Sequence, residues 1–273
     1  MASIVTGERG VGAFNVIQVE HAYALVRGAE RAGCPVVLQI SENCVRYHGS
    51  LEPIAAATLA VARAAAVAVA VHLDHVESPE LVDEGIALGV GSVMFDASRL
   101  PYAENVAATA EVVRRCHAAG VFVEAELGEV GGKDGVHAPG VRTDPAEAAA
   151  FAAATGVDAL AVAVGSSHAM TTRDAVLDLD LIAALRAAVP VPLVLHGSSG
   201  VPDEQLAAAV AAGMTKVNIA THLNKVFTAA VRAALAADKS LVDTRKYVGP
   251  ARDAVAEEVA RLLGVLGAGV AVR

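Results

Sequence analysis

The stretch VAVAVHLDH (Val67–His75) decides how this chain is read: a continuous Val/Ala run that ends in His72, Asp74 and His75. An uninterrupted run of small apolar residues marks a strand buried on both faces, as in a parallel sheet. Polar groups at the C-terminal end of such a strand sit where barrel and open-sheet α/β enzymes hold their sites. Four further runs repeat the pattern: VFVEAELG (Val121–Gly128), ALAVAVGSSH (Ala159–His168), PLVLHGSSG (Pro192–Gly200) and KVNIAT (Lys216–Thr221). Five polar strand ends along one chain define a site.

Working outward, strand-like and helix-like segments alternate with a step of roughly 25–30 residues, the spacing of repeated βα units. Strands are predicted at Ala13–Val16, Pro35–Ile40, Val69–Asp74, Ser92–Asp96, Phe122–Glu126, Ala159–Val164, Leu193–His196 and Val217–Ile219. Helices follow at Glu20–Ala32, Pro79–Leu88, Glu104–Ala119, Asp144–Thr155, Leu181–Val189, Asp203–Ala212 and Leu223–Ala237, with one more at Pro250–Leu266. Ser78-Pro79 and Asp144-Pro145 place a capping side chain before a proline in the first helical turn. Gly33, Gly89, Gly120, Gly156 and Gly213 fall where helices should stop. No Pro/Ser-rich linker or charge run divides the chain. The expectation is an α/β fold: a single (β/α)8 TIM barrel over residues 1–273 with an extra C-terminal helix. Its longest irregular stretch, Glu129–Thr143, holds four glycines and follows a predicted site strand. A loop of that length is usually functional, and a flap over the site is expected.

Composition narrows the function. Hydrophobic residues make up 55% of the 273 and aromatics only 3%, so the core is Ala/Val/Leu. A net charge of −9 argues against a nucleic-acid partner. Three scattered cysteines (Cys34, Cys44 and Cys116) fit neither a disulfide framework nor a Cys-based zinc site; they read as reduced, cytosolic thiols. Ile54–Val71 is long and apolar, but Arg63 interrupts it and His72-Leu73-Asp74-His75 ends it, so a helix followed by a buried strand fits better than a membrane span. MASIVTGERG carries no apolar leader segment. A cytoplasmic protein without a membrane partner is expected.

Of nine histidines, His75, His168 and His196 each fall at or just past the end of a different predicted strand. Three imidazoles meeting at one barrel mouth make a three-ligand zinc site with an open position; the alternative is a wet mouth without metal. His21, His48, His117, His137 and His222 receive no role.

Together these motifs resemble the class II, zinc-dependent ketose-bisphosphate aldolases, in particular the fructose/tagatose-bisphosphate branch. The resemblance runs from Ala13-Phe14-Asn15 to the C-terminal helix. It is carried by His72-Leu73-Asp74-His75, Ser92-Val93-Met94-Phe95-Asp96, Pro101-Tyr102-Ala103-Glu104-Asn105, Val123-Glu124-Ala125-Glu126-Leu127-Gly128, His196-Gly197-Ser198-Ser199-Gly200 and Lys216-Val217-Asn218-Ile219-Ala220-Thr221. It implies Zn2+ on His75, His168 and His196, with Glu126 and Asp96 close to the metal. It implies Asp74 as the acid/base on the C4 oxygen and Asp134, or less well aligned Glu129, as the flap acid. The dihydroxyacetone phosphate (DHAP) moiety would rest on Gly197, Ser199, Asn218, Thr221 and Ala169, with a monovalent cation (Na+ or K+) nearby. Asn15 and Ser41 are further substrate contacts. Arg245 would bind the distal phosphate of a neighbouring subunit's substrate, which requires a homodimer or homotetramer.

The chain departs from the family pattern at Ala97 and Arg99, Ala169, His222, Thr244 and the Lys133-Asp134 pair. None of these removes a zinc histidine or Asp74. The expected reaction is reversible cleavage of fructose or tagatose 1,6-bisphosphate to DHAP and glyceraldehyde 3-phosphate; Ala220 resembles the tagatose branch. Another phosphorylated keto sugar or keto acid, or a non-catalytic sugar-phosphate or metal-binding barrel, is the alternative. Asp74 would then be a partner of a metal histidine, and Asp96 a structural acid. Glu124 and Glu126 are expected to point to opposite sides of their strand, with Glu126 toward the site.

Overall fold

The computed structural model describes residues 1–5, 10–127, 141–168, 170 and 172–268. Eight parallel strands close into a barrel in sequential order: β1 (Val11–Asn15), β2 (Val36–Ser41), β3 (Val69–Val76), β4 (Ser92–Phe95), β5 (Phe122–Glu126), β6 (Ala159–Ala161), β7 (Leu193–Leu195) and β8 (Met214–Ile219). Pairing of β8 with β1, Val11 opposite Lys216 and Ala13 opposite Asn218, completes the cylinder. The helices are α1 (Ala2–Val5), α2 (Val19–Ala32), α3 (Glu42–His48), α4 (Glu52–Ala64), α5 (Pro79–Leu88), α6 (Tyr102–Ala118), α7 (Pro145–Thr155), α8 (Leu179–Ala188), α9 (Asp203–Ala212), α10 (Thr221–Ala237) and α11 (Arg245–Ala268).

The punctuation read from the sequence acts as expected. Ser78 Oγ accepts from Leu81 N at 3.2 Å, and Asp144 Oδ1 accepts from both Ala146 N and Glu147 N at 2.9 Å. Gly33, Gly89 and Gly156 end their helices in the left-handed conformation. The expected helix and strand across Ile54–Val71 are α4 and β3. Two short helices escaped the pattern. α3 buries only Cys44 and so shows no apolar stripe, although Ser41 caps it and Gly49 ends it. α1 has a single turn; its Ile4, with Met1, packs against Val11, Ala13, Val37 and Ala70 at the N-terminal end of the barrel. The last helix was expected to begin at Pro250 but starts at Arg245 and runs through that proline, whose missing N–H costs one bond near the helix start.

β3 contains the main irregularity. Its register against β4 shifts between Leu73 and Val76, and His75 sits at φ 51°, the one non-glycine with positive φ among the described residues. That conformation costs a β-strand residue on the order of 1–3 kcal/mol and is typical of functional sites. A bulge of this kind re-aims side chains. Asp74 and His75, adjacent on a strand, would otherwise face opposite sides; here both line the barrel mouth.

α11 fills the outer layer between α2 and α9 with buried Ala251, Val255, Ala256, Val259, Leu262, Leu263 and Leu266. Its approach to α2 depends on Gly28, where an added Cβ would lie 2.6 Å from Val259 Cγ1 and 2.7 Å from the Ala256 carbonyl. Gly28→Ala would gain up to ~1 kcal/mol of helix propensity, but overpacking against a carbonyl that cannot yield costs roughly 1–3 kcal/mol. Equilibrium denaturation should therefore show Gly28→Ala destabilised; a raised midpoint would mean that α11 backs away freely.

Candidate active site

The C-terminal ends of the strands surround a cavity of about 490 Å3 lined by Asn15, Ser41, Asp74, His75, His168, His196, Gly197, Ser199, Asn218 and Thr221, among others. His75 from β3, His168 after β6 and His196 after β7 converge there, and their ring nitrogens can all lie within 4.8 Å of one another. His75 Nε2 and His196 Nδ1 are 3.0 Å apart although 121 residues separate them in sequence.

Each of these two rings is oriented from behind. His75 Nδ1 donates to Asp96 Oδ2 at 2.8 Å, and Asp96 Oδ1 is held by Ser98 N and Oγ at 3.2 and 2.6 Å. His196 Nε2 donates to the fully buried Glu124 at 2.9 Å; the other Glu124 oxygen takes Lys216 Nζ at 2.8 Å. Both imidazoles therefore turn a lone pair to one point. Burial, with His75 close by, holds His196 well below the usual imidazole range, so it is a neutral donor, the form that binds metal. Two lone pairs facing each other at 3.0 Å repel unless a cation lies between them. On a tetrahedral zinc with bonds of ~2.0–2.1 Å, such nitrogens stand roughly 3.3 Å apart. The donor set fits zinc.

Asp96 was expected beside the metal, and the structure places it as the orienting partner of His75. A second possible donor group, His75 with Asp96 and Glu126, shares that ring. The Asp96 hydrogen bond already uses its Nδ1, which leaves Nε2 for the three-histidine group. Glu126 Oε2 lies 4.0 Å from the same Nδ1, behind the ring. The expectation that Glu124 and Glu126 diverge is corrected: residues two apart on a strand share a face. Both carboxylates enter the barrel, Glu124 toward His196 and Lys216, Glu126 toward His75. Strand alternation, read with its true period, would have found Glu124.

Asp74 sits beside the histidines, buried. Its Oδ2 is approached by Asn15 Nδ2 at 3.5 Å, and Asn15 Oδ1 in turn faces Gln39 Nε2 at 3.4 Å. Its Oδ1 has no hydrogen-bond partner among the described residues. Burial pushes the carboxyl up, yet its neighbours His75, His196 and Lys216 outweigh that and hold it below the ordinary range. It is an ionised acceptor with one buried oxygen unpartnered among the described residues.

Across the mouth, the loops after β7 and β8 present groups that could seat an anion. Gly197 has φ 68°, and a Cβ there would lie 2.6 Å from the Ser167 backbone, so only glycine fits. Ser199 Oγ accepts from Ala220 N at 3.3 Å and His222 N at 3.1 Å, which aims its own proton outward. α10 begins at Thr221 with no side-chain cap, the arrangement in which a helix N-terminus attracts phosphate. Asn218 Oδ1, buried, has no hydrogen-bond partner among the described residues. His222 Nε2 meets Glu258 Oε1 of α11 at 2.6 Å, tying the seat to the outer layer.

The family model described as "Fructose-bisphosphate aldolase class-II" matches residues 2–269. The chain belongs to the class II fructose-bisphosphate aldolase family. It is 41% identical over 253 residues to a fructose-bisphosphate aldolase of Geobacillus stearothermophilus, covering 91% of this chain and 88% of that one. A fructose-bisphosphate aldolase of Staphylococcus aureus is 39% identical over the same shares. Among solved structures, the YdjI aldolase from Escherichia coli K12 superposes with a TM-score of 0.84 at 31% identity, covering 97% of this chain and 94% of that one.

Within this aldolase-family barrel, Asn15, Ser41, Asp74, His75, His168, His196, Gly197, Ser199, Asn218 and Thr221 meet at one cavity. Ser41 also caps α3 by accepting from Cys44 N at 3.2 Å. Asp134, Glu129 and Ala169 lie outside the described residues. Arg245 is absent from the cavity; it stands at the start of α11, its side chain 88% exposed and paired with Asp243 Oδ2 at 2.9 Å.

The Lys216–Glu124–His196 chain generates a test. Lys216→Met should destabilise the protein by roughly 3–5 kcal/mol, because it strands a buried carboxylate. Adding Glu124→Leu should restore much of that stability while zinc affinity, measured by chelator competition, stays about 10–100-fold below wild type. Wild-type affinity in the double variant would remove Glu124 from the metal site.

Proposed function

We propose that this protein is a zinc-dependent aldolase that reversibly cleaves a ketose 1,6-bisphosphate to DHAP and glyceraldehyde 3-phosphate in the cytoplasm. The observation that carries the reading is the buried, unpartnered carboxylate oxygen of Asp74 beside three converging histidines, with Gly197, Ser199 and Thr221 lining the same cavity. A barrel that merely bound metal or sugar phosphate would have no use for a buried, unpartnered carboxylate there. Among the described residues no helix is long and apolar enough to cross a membrane.

His75, His168 and His196 would hold the zinc. When bound, the metal supplies Lewis acidity to the substrate carbonyl and takes up the negative charge that develops on cleavage. The C1 phosphate rests on Gly197, Ser199 and Thr221, with Asn218 and the Ala169 N–H completing the seat and a Na+ or K+ ion offsetting its charge. That seat fixes the C3–C4 bond beside Asp74. Asp74 takes the C4 hydroxyl proton as the bond breaks. The C4 oxygen becomes the aldehyde carbonyl, and the bond's electron pair passes to C3 as the enediolate. Asn15 holds Asp74 in place. Asp134, or Glu129, delivers the proton to C3 that completes DHAP, and Glu126, which stands behind the His75 ring, would support that ligand from the side away from the zinc. Fructose and tagatose 1,6-bisphosphate differ at C4, where Asp74 acts, so direct competition between the two epimers assigns the preference.

Thorough chelation should abolish cleavage, with recovery on adding zinc. Full activity in verified metal-free protein, or a lysine adduct trapped by borohydride, would sink the reading. Asp74→Ala should keep zinc but lose turnover by roughly two to four orders of magnitude, the usual scale of a general acid/base.

A neighbouring subunit's Arg245 is proposed at the distal phosphate. The α10–α11 turn supports this: Val242, three residues before Arg245, is 90% exposed and gives the turn an apolar surface. A guanidinium fork matches a phosphate, and the arrangement demands at least a dimer. Mixing Arg245→Ala subunits with Asp74→Ala subunits should then regenerate activity in mixed oligomers. No regain in proven mixed dimers would place Arg245 outside the neighbour's site.

A further inference from the structure

Two guanidinium groups at the barrel mouth have no part in the chemistry above. Arg46 of α3 and Arg99 of the β4–α6 loop line the same cavity as Asp74, His75 and Ser199. Arg99 is also the last residue of the Asp96–Arg99 segment, where the chain departs from the family pattern.

Both are positioned by carboxylates. Arg46 Nη2 meets Glu42 Oε1 at 2.5 Å and its Nη1 meets Asn43 Oδ1 at 3.2 Å. The second Glu42 oxygen accepts from the backbone N–H of Glu77 at 2.7 Å. The Glu77 side chain then stands 3.8 Å from Arg99 Nη1. This chain of contacts spans the loops after β2, β3 and β4. In an eight-strand barrel closed in sequential order, those loops lie across from the loops after β6, β7 and β8. A guanidinium carries five N–H donors, and the two contacts of Arg46 leave others for a ligand.

A six-carbon ketose held by its C1 phosphate on the β7–β8 side, with C3 and C4 beside Asp74, must extend its far end toward the β2–β4 wall. We propose that Arg46 and Arg99 form a seat for the distal phosphate of the substrate within the same subunit and so set the preference for bisphosphates. This rests on the aldolase reading, with DHAP seated at Ser199 and Thr221. Paired guanidiniums suit a phosphate dianion because each presents parallel donors and stays charged at any working pH. Arg245 of a neighbour would then supplement this seat rather than create it.

The test compares kcat and KM for fructose 1,6-bisphosphate and fructose 1-phosphate in Arg46→Gln, Arg99→Gln, the double variant and Arg245→Gln. Losing one charged hydrogen-bond donor set should lower the bisphosphate-over-monophosphate ratio of kcat/KM by roughly tenfold to a hundredfold. The loss should fall in KM rather than kcat, and Arg46→Lys should recover part of it. An unchanged ratio in the double variant, or a ratio that collapses in Arg245→Gln alone, overturns the proposal. Calorimetric titration with glucitol 1,6-bisphosphate and glucitol 1-phosphate, which cannot be cleaved, gives a second readout. Wild type should bind the bisphosphate more tightly, and the double variant should lose that difference. Equal binding of both by wild type also overturns the proposal. If wild type cleaves no ketose phosphate yet keeps this preference, the aldolase reading fails and the distal seat stands.

Discussion

The site depends on a departure from strand geometry at His75. Successive side chains on a strand alternate between faces, yet the proposed chemistry requires an acid/base and a metal ligand from consecutive residues on one face. The shift in register after Leu73 and the left-handed backbone at His75 meet that requirement. A residue without a function at this position would relax the strain. The hydrogen bond from His75 Nδ1 to Asp96 and the packing of the closed barrel hold it in place.

Beneath that bulge the barrel interior is polar in a way that serves the mouth. Gln39, His72, Ser92, Glu124 and Lys216 are all fully buried. His72 Nδ1 pairs with Ser92 Oγ at 2.7 Å, while burial, with the Lys216 charge nearby, holds the imidazole well below its ordinary range. Glu124 joins Lys216 to His196. A neutral His72 adds no charge to a layer that already contains one compensated ion pair. Small side chains on β6, Ala159 and Ala161, leave room for these longer groups. The low-dielectric interior therefore carries orientation upward from β5 and β8 to the histidine on β7.

Much of this was legible in the sequence because its causes are local. Buried parallel strands must be apolar, helix ends need capping groups, and polar residues at five strand ends have few other uses. That pattern singled out His75, His168 and His196, while Asp74, Ser199 and Thr221 were reached through the family resemblance; all six line one cavity. The less legible parts have non-local causes. Nothing in HLDHV announces a bulge, since its need arises from β4 and Asp96. Glu124 looked redundant beside Glu126 until Lys216, 92 residues away, proved to be its partner. α3 was missed because seven residues with one buried side chain leave no periodic trace, and Arg46 was missed with it.

The distance in sequence between the two histidines that face each other has a consequence for how the protein assembles. His75 and His196 approach within 3.0 Å only once β3 and β7, on opposite walls, belong to one closed cylinder. An open or half-formed sheet has no such pair and no high-affinity place for the ion. Binding of the proposed zinc would then report on closure: it would select the finished cylinder over every partial assembly and draw the folding equilibrium toward it by mass action. The catalytic centre thereby doubles as the clasp of its own scaffold.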